Sequence, residues 1–486
     1  MKITLATPLA LHTLAAMAGG ELTLHNISEE MTVTHICTDS READEGTLFC
    51  AIRGERVDGH SYMTKAAELG CRVFLCERIP DPLPADACAF VVAEDTVAAL
   101  SALALSRRMG EMKSLPAVAI TGSVGKTTAK EMTAAVLSAG MTVFKKDGNF
   151  NSTIGLPLSF MEIPTTTECA VLEMGMSGRG EIAAMTRAVR PSIAMIVNIG
   201  SSHLEYLGTR ENIARAKLEI AMGLPEGGTL LINGDEPLLA NLGQDFGEDL
   251  PVIPEGVRVL RVSLAGDESS DYQAMNITSR EGGMVFDLVT PDGVWRELYV
   301  PAVGEHFVWA ASFAAAVGQL SGLTEGQVRA GLASYRPAAM RQDIRRLGGV
   351  TLMVDCYNAA PESMKAALSA LSLIAGSHRR IAVLGDMKEL GENTVALHHS
   401  VGAFAAEGGI DLLVTVGELG AEIATGAMEA GMSPDAIRIT GGKDTYEATA
   451  ADLKSILREG NHVLFKASRS MALETMVEAL TAGLNT

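Results

Sequence analysis

Aromatic residues make up only 4% of this 486-residue chain, and its 39 Lys and Arg are outnumbered by 59 Asp and Glu, for a formal net charge of -20. Stacking platforms for single-stranded nucleic acid are therefore poorly supplied. The charge also opposes attraction to nucleic acid and to anionic membrane surfaces, both of which favour Lys/Arg-rich partners. No segment offers the ~20 uninterrupted apolar residues that a membrane span needs. Seven cysteines (Cys37, Cys50, Cys71, Cys76, Cys88, Cys169 and Cys356) are an odd number with no CxxC pair. That argues against a zinc cluster or disulfide framework and fits a reducing cytoplasm. The apolar start TLATPLALHTLAAMAGG has the composition of a secretory leader, but Pro8, His12 and a lone Lys2 favour a packed N-terminal helix.

What is present is the material of a multidomain globular protein. At ~150 residues per domain the length suggests about three units. Short apolar runs ending in Gly-rich turns alternate with Ala/Leu/Glu-rich helical stretches, the pattern of parallel α/β domains. VAITG leads into KTTAKEMTAAVLSAG, IAMIVNIG leads towards RENIARAKLEIAMG, and IAVLGDM and LLVTVGELG repeat the form later. Composition changes near Gly110 to Pro116 and near Tyr335 to Arg341 place domains at 1–112, 113–338 and 339–486. The expected fold is α/β in three domains, with a central P-loop-type parallel-sheet ATPase domain and a C-terminal doubly wound α/β domain. Alternation such as MVFDLVT between about 250 and 300 suggests an antiparallel β extension of the central domain.

The chemistry concentrates at TGSVGKTT, residues 121–128. A strand that stops in a glycine loop and continues as a helix gathers backbone N–H groups and the helix dipole at one point, a natural phosphate site. Gly122, Ser123 and Gly125 shape the loop, Lys126 supplies a mobile positive charge, and the hydroxyls of Thr127 and Thr128 follow, Thr127 being suited to magnesium. Ile120 stands where a full GxxxxGKT pattern requires glycine, so this is a shorter loop. A kinase, a GTPase or a ligase could use it.

Further segments resolve that choice: TDSREADEGTLFCAIRGERVDGHSYM, GNFNSTIGLPLSF, LEMGMSGRGEI, NIGSSHLEYLGT, ARAKLEI, DCYNAAPESM, LGDMKELG and FKASRSMALE. Together with the phosphate loop, and in this order over nearly the whole chain, they resemble the Mur ligase family. The resemblance implies an ATP-dependent amide ligase. It points to the branch that joins D-alanyl-D-alanine to a UDP-N-acetylmuramoyl-tripeptide, because the DNPR sequence of the branch adding the third peptide residue is missing. ATP and magnesium are the implied cofactors, and a monomer is expected.

By the same resemblance, Thr127, Glu173 and His203 hold magnesium, and Lys217 is carbamylated to hold a second ion. Lys126, Lys217, His203 and Arg341 form the catalytic set, with Arg341 and Asp355 reaching ATP from the last domain. Ser40, Arg41, Asp58, Gly59 and His60 belong to the uridine-nucleotide module at 38–63. Asn149 and Asn151 lie on a loop near the muramoyl substrate, where Ser152 replaces the usual asparagine. Asn358 and Asp386 are candidates for the incoming dipeptide. Phe307 and Ala310 stand where relatives have asparagines near the adenine; apolar side chains could sandwich a base but not donate amide hydrogen bonds. The rival readings are a folylpolyglutamate synthase of the same superfamily, which the 38–63 module disfavours, and a P-loop protein that uses ATP only as a conformational switch.

Overall fold

The computed structural model describes residues 1–54, 56–240, 242, 253–266, 269–280 and 282–482. Three sheets follow one another along the chain. The first has six strands in the order Lys2–Ala10, Thr32–Cys37, Thr47–Cys50, Val73–Cys76, Cys88–Val92, Glu21–His25, parallel in the middle and antiparallel at both edges.

Its first strand corrects the expectation of an N-terminal helix. Lys2–Ala10 pairs with Thr32–Cys37, and the helix begins only at Leu11, ending at Gly19 in the left-handed region (φ 67°). Ile3 and Leu5 point into the core with a period of two, and the residue before Pro8 is biased away from helix. One apolar window therefore contains a strand and a helix.

Among the described residues the central sheet has nine strands. From one edge they run Gly293–Val300, Gly283–Thr290, Tyr272–Arg280, Arg258–Ser263, Thr229–Asn233, Ile193–Ile196, Ala117–Thr121, Cys169–Glu173 and Val143–Lys145. Strands from Val143 through Tyr272 pair in parallel, and the last two turn antiparallel, which is the extension expected between 250 and 300. Residues 250–252, 267–268 and 281 of that stretch lie outside the described residues. All five residues of Ala117–Thr121 are buried, as a parallel strand covered on both faces requires. Helix Lys126–Leu137 packs with Glu305–Leu320 and Glu325–Ser334 on one face, around Met132, Val136, Phe313 and Val328.

The third sheet runs Asp343–Leu347, Val350–Val354, His462–Lys466, Arg380–Gly385, Leu412–Val416, Ile437–Thr440, parallel except at its first edge. Two cores, around Val463 and Leu464, fill its opposite faces. The carboxyl ends of parallel strands are where α/β proteins collect ligands, and the phosphate loop, Glu173, His203 and Asp355 all lie at or follow such ends.

Candidate active site

Ala117–Thr121 delivers the chain into a loop whose Gly125 takes φ 78°, after which Lys126 opens the helix. A Cβ on Gly122 would lie 2.3 Å from Val197 Cγ2, so only glycine lets the loop cross the neighbouring strand end. Asn198 braces the loop. Its Oδ1 accepts from the N–H groups of Ser123 and Val124, both at 3.0 Å, and its Nδ2 donates to the Val124 carbonyl at 2.8 Å. Lys126 Nζ folds onto the carbonyls of Gly122 (2.8 Å) and Ser123 (3.3 Å). Burial lowers its proton affinity, with Arg341 acting in the same direction and Glu173 and Glu389 opposing.

Glu173 joins two loops from the end of its strand. Its Oε2 accepts from Thr127 Oγ1 and its Oε1 from Asn151 Nδ2, both at 2.8 Å. Asn151 is held in turn by Gly175 N–H on its carbonyl at 2.8 Å. Asn149 is exposed on the same loop, and Ser152 Oγ accepts from Gly155 N–H at 3.1 Å at the start of the next helix. The Thr127 hydroxyl and Glu173 carboxylate are hard oxygen donors of the kind magnesium takes, one or two from protein and the rest from phosphate and water.

His203 lies beyond the adjacent strand in the left-handed region, φ 67°. Its Nδ1 is 2.8 Å from Oε2 of Glu389, which is itself left-handed at φ 65° and belongs to the third sheet's unit. The His203 contact and, more weakly, Lys126 hold the Glu389 carboxyl below its usual range against the effect of burial. Lys217 is 1% exposed, and its side chain makes no hydrogen bond or ion pair among the described residues. Burial, reinforced by Lys126, pushes its amine well below the ordinary lysine range. A neutral amine is the form that reacts with carbon dioxide, so this residue fits a carbamate.

From the third unit, Arg341 stacks on Tyr357, its guanidinium carbon 4.1 Å from the ring centroid. Asp355 Oδ2 pairs with Lys466 Nζ at 2.7 Å, and the same ammonium donates to the Asn358 carbonyl at 3.0 Å. Lys466 is 2% exposed, whereas Asn358 is exposed and its Oδ1 accepts from Ala359 N–H at 2.9 Å. Burial drives the nearby His306 down to about 4, with Asp355 pulling the other way. Asp386 is not brought to this group: it is 3% exposed, Oδ1 accepts from Leu419 and Gly420 N–H at 3.0 Å each, and Oδ2 pairs with Lys388 at 2.9 Å. Phe307 and Ala310 are 2% and 5% exposed within the central core, so their side chains pack the helix and present no face to a base.

The 38–63 module lies on the first unit. Asp58 accepts from Arg78 (2.7 Å) and His60 N–H (3.0 Å), and His60 Nδ1 is 2.7 Å away. His60 Nε2 accepts from Glu77 N–H at 2.9 Å, so its proton sits on Nδ1 and donates to Asp58. These bonds hold the Asp58 carboxyl far below its usual range. A Cβ on Gly59 would meet the Ile52 backbone at 2.7 Å. Ser40 is buried, and Arg41 is exposed and pairs with Asp39 at 2.6 Å.

Asn198, Lys466 and Glu389 are the participants that sequence reasoning passed over. Each lies inside a quoted motif, at a strand end or in the turn that follows one, and that position was the available signal.

Comparison with known proteins gives three family matches: Mur ligase family, catalytic domain, over residues 32–108; Mur ligase middle domain over 120–318; and Mur ligase, glutamate ligase domain, over 340–469. The chain is 38% identical over 462 residues to the UDP-N-acetylmuramoyl-tripeptide--D-alanyl-D-alanine ligase of Bacillus subtilis, covering 94% of this chain and 95% of that one. Its fold is similar to MurF from Acinetobacter baumannii (TM-score 0.86, 29% identity, 99% and 100% of the two chains). It is also similar to MurF ligase from Thermotoga maritima in complex with ADP (TM-score 0.78, 28% identity, 92% and 97%).

Proposed function

Since the chain belongs to the Mur ligase family, we infer that it is an ATP-dependent ligase joining D-alanyl-D-alanine to the terminal carboxylate of UDP-N-acetylmuramoyl-tripeptide, in peptidoglycan precursor synthesis. The observation that carries this reading is the meeting of Thr127 and Asn151 on Glu173 beside Lys126, which ties the phosphate loop to the loop that the family sets near the muramoyl substrate. ATP would phosphorylate the tripeptide carboxylate, and the dipeptide amine would displace phosphate from the acyl phosphate. Lys126 and Arg341 neutralise charge on the transferring group, and catalysis of this kind rests on positioning and electrostatics. Asp355, fixed by Lys466, orients the nucleotide from the third unit. Asn358 offers an exposed amide to the dipeptide.

Magnesium, when bound, supplies further positive charge to the phosphates. Thr127 and Glu173 are suited to hold it, with His203 as a further candidate and a carbamylated Lys217 for a second ion. Residues 1–112 are assigned to the UDP-muramoyl substrate, 113–338 to ATP, and 339–486 to ATP and the dipeptide. Ser40, Arg41 and Asp58 to His60 supply the first of these surfaces. A cytoplasmic setting is supported by seven cysteines that are all free and buried. Among the described residues no helix is long and apolar enough to cross a membrane.

The test is an assay with ATP, D-alanyl-D-alanine and UDP-tripeptides bearing diaminopimelate or lysine. ADP release coupled to the mass gain of one dipeptide on the UDP-peptide is expected. ADP release without that gain would favour an ATP-driven switch and overturn ligation.

A further inference from the structure

Segment 198–201 touches two units at once. On one side it holds the phosphate loop: Asn198 makes the three bonds given above, and Gly200 N–H donates to Ser123 Oγ at 2.8 Å. On the other it meets Glu362, in the first turn of helix Pro361–Ala375 of the third unit. Glu362 Oε1 accepts from Ser201 N–H at 2.9 Å and Ser201 Oγ at 2.8 Å. Its carboxyl lies so close over Gly200 that a Cβ there would come within 3.0 Å of Cδ.

Among the described residues, Glu362 Oε2 is buried without a hydrogen-bond partner. Such an oxygen costs free energy and calls for an explanation other than stability. Glu362, Ser201, Asn198 and Val124 also line one cavity of about 410 Å³ together with Arg210 and Glu236. Carboxylate, turn and phosphate loop are thus continuous neighbours.

We propose that Glu362 is a positioning residue for ATP: by holding the 198–201 turn from the third unit, it sets the shape of the phosphate loop through Asn198 and Gly200. The loop then takes its ATP-binding form only while that unit is docked. This rests on the reading of 121–128 as the ATP loop.

Full-length Glu362→Ala and Glu362→Gln test it through the KM for ATP, the KM for UDP-tripeptide, ADP affinity by calorimetry, and the melting temperature. Glu362→Ala is expected to raise the ATP KM and the ADP Kd in parallel by about tenfold, the worth of one charge-assisted hydrogen bond. The tripeptide KM should stay fixed. Glu362→Gln keeps an acceptor for Ser201 and should restore most of the loss. If Glu362→Ala does not fold, Ser201→Ala removes one of the two donors and is expected to shift ADP affinity by about threefold. Unchanged ADP and ATP constants in these variants, or equal rises in both substrate KM values, would overturn the proposal. Wild type that binds ADP but forms no ligated product sinks the proposed function alone, because the ADP measurement still decides the role of Glu362. Wild type that fails to bind ADP sinks both.

Discussion

Replacing Asn198 by alanine removes three hydrogen bonds from the phosphate loop while leaving its sequence intact. Each neutral bond contributes about 1 kcal/mol net, so the ceiling is ~3 kcal/mol. Ser123 N–H keeps the Asn198 backbone carbonyl at 3.2 Å, and Val124 is partly exposed so that water can reach its freed groups, which recovers part of that. A cost of about 1.4–2.8 kcal/mol remains, a loss of roughly ten- to a hundredfold in kcat/KM for ATP. The loop holds phosphate in the ground state as well as in the transition state, so most of the effect should appear in KM. Asn198→Asp keeps an acceptor for Ser123 and Val124 N–H but turns an oxygen towards the Val124 carbonyl, which isolates the contribution of Nδ2. ADP release at saturating tripeptide and dipeptide, titrated with ATP, reads both variants, and a thermal melt reports folding. A kcat/KM for ATP within threefold of wild type in folded Asn198→Ala would refute the bracing role.

Lys217→Ala is expected to lose at least ~100-fold in kcat, the scale of removing one preorganised electrostatic group. Carbon dioxide removal should slow the wild type reversibly and leave the variant indifferent to bicarbonate; full activity of the variant refutes carbamylation. Phe307→Asn places an amide in a packed core and should cost about 3–5 kcal/mol in urea unfolding, whereas near-native stability would mean that the site opens to solvent. His306 falls to about 4 in the folded state, against an unfolded value of about 6.5. The unfolded chain therefore binds the extra proton between these values, and stability falls by up to about 3 kcal/mol as pH drops from 6.5 to 4. His306→Gln should flatten that slope in urea midpoints taken at pH 7 and pH 5, and an unaltered slope counts against it.

What the sequence made legible follows from how locally each feature is encoded. The strands Ala117–Thr121, Cys169–Glu173 and Ile193–Ile196 were visible because each is a short apolar run stopped by a glycine turn. Their common sheet edge followed from the parallel α/β pattern. The N-terminal segment is legible only in its second half, the packed helix Leu11–Ala18, because period two and period 3.6 meet within one apolar window. Lys217 reads as a surface lysine in its helix, and only the packing of Ile213, Ala216 and Leu218 around that segment reveals a buried amine. Asp386 shows the converse: a carboxylate after a strand suits a ligand as well as it suits the N-terminus of a distant helix. Asn198 and Glu362 act on groups 74 to 161 residues away, and no periodicity encodes such a reach.

The close passage of Gly122 under Val197 also constrains how this loop can drift. Alanine at 122 would drive its methyl into a stiff β-branched side chain, so the loop would have to lift or the strand end retreat. Shortening Val197 first to alanine opens the space at the expense of a modest core defect. The two positions therefore behave as a matched pair with a preferred order of exchange: the smaller residue must arrive at 197 before a larger one is tolerated at 122. A library randomised at both sites should return functional clones in which side-chain sizes at 122 and 197 vary inversely.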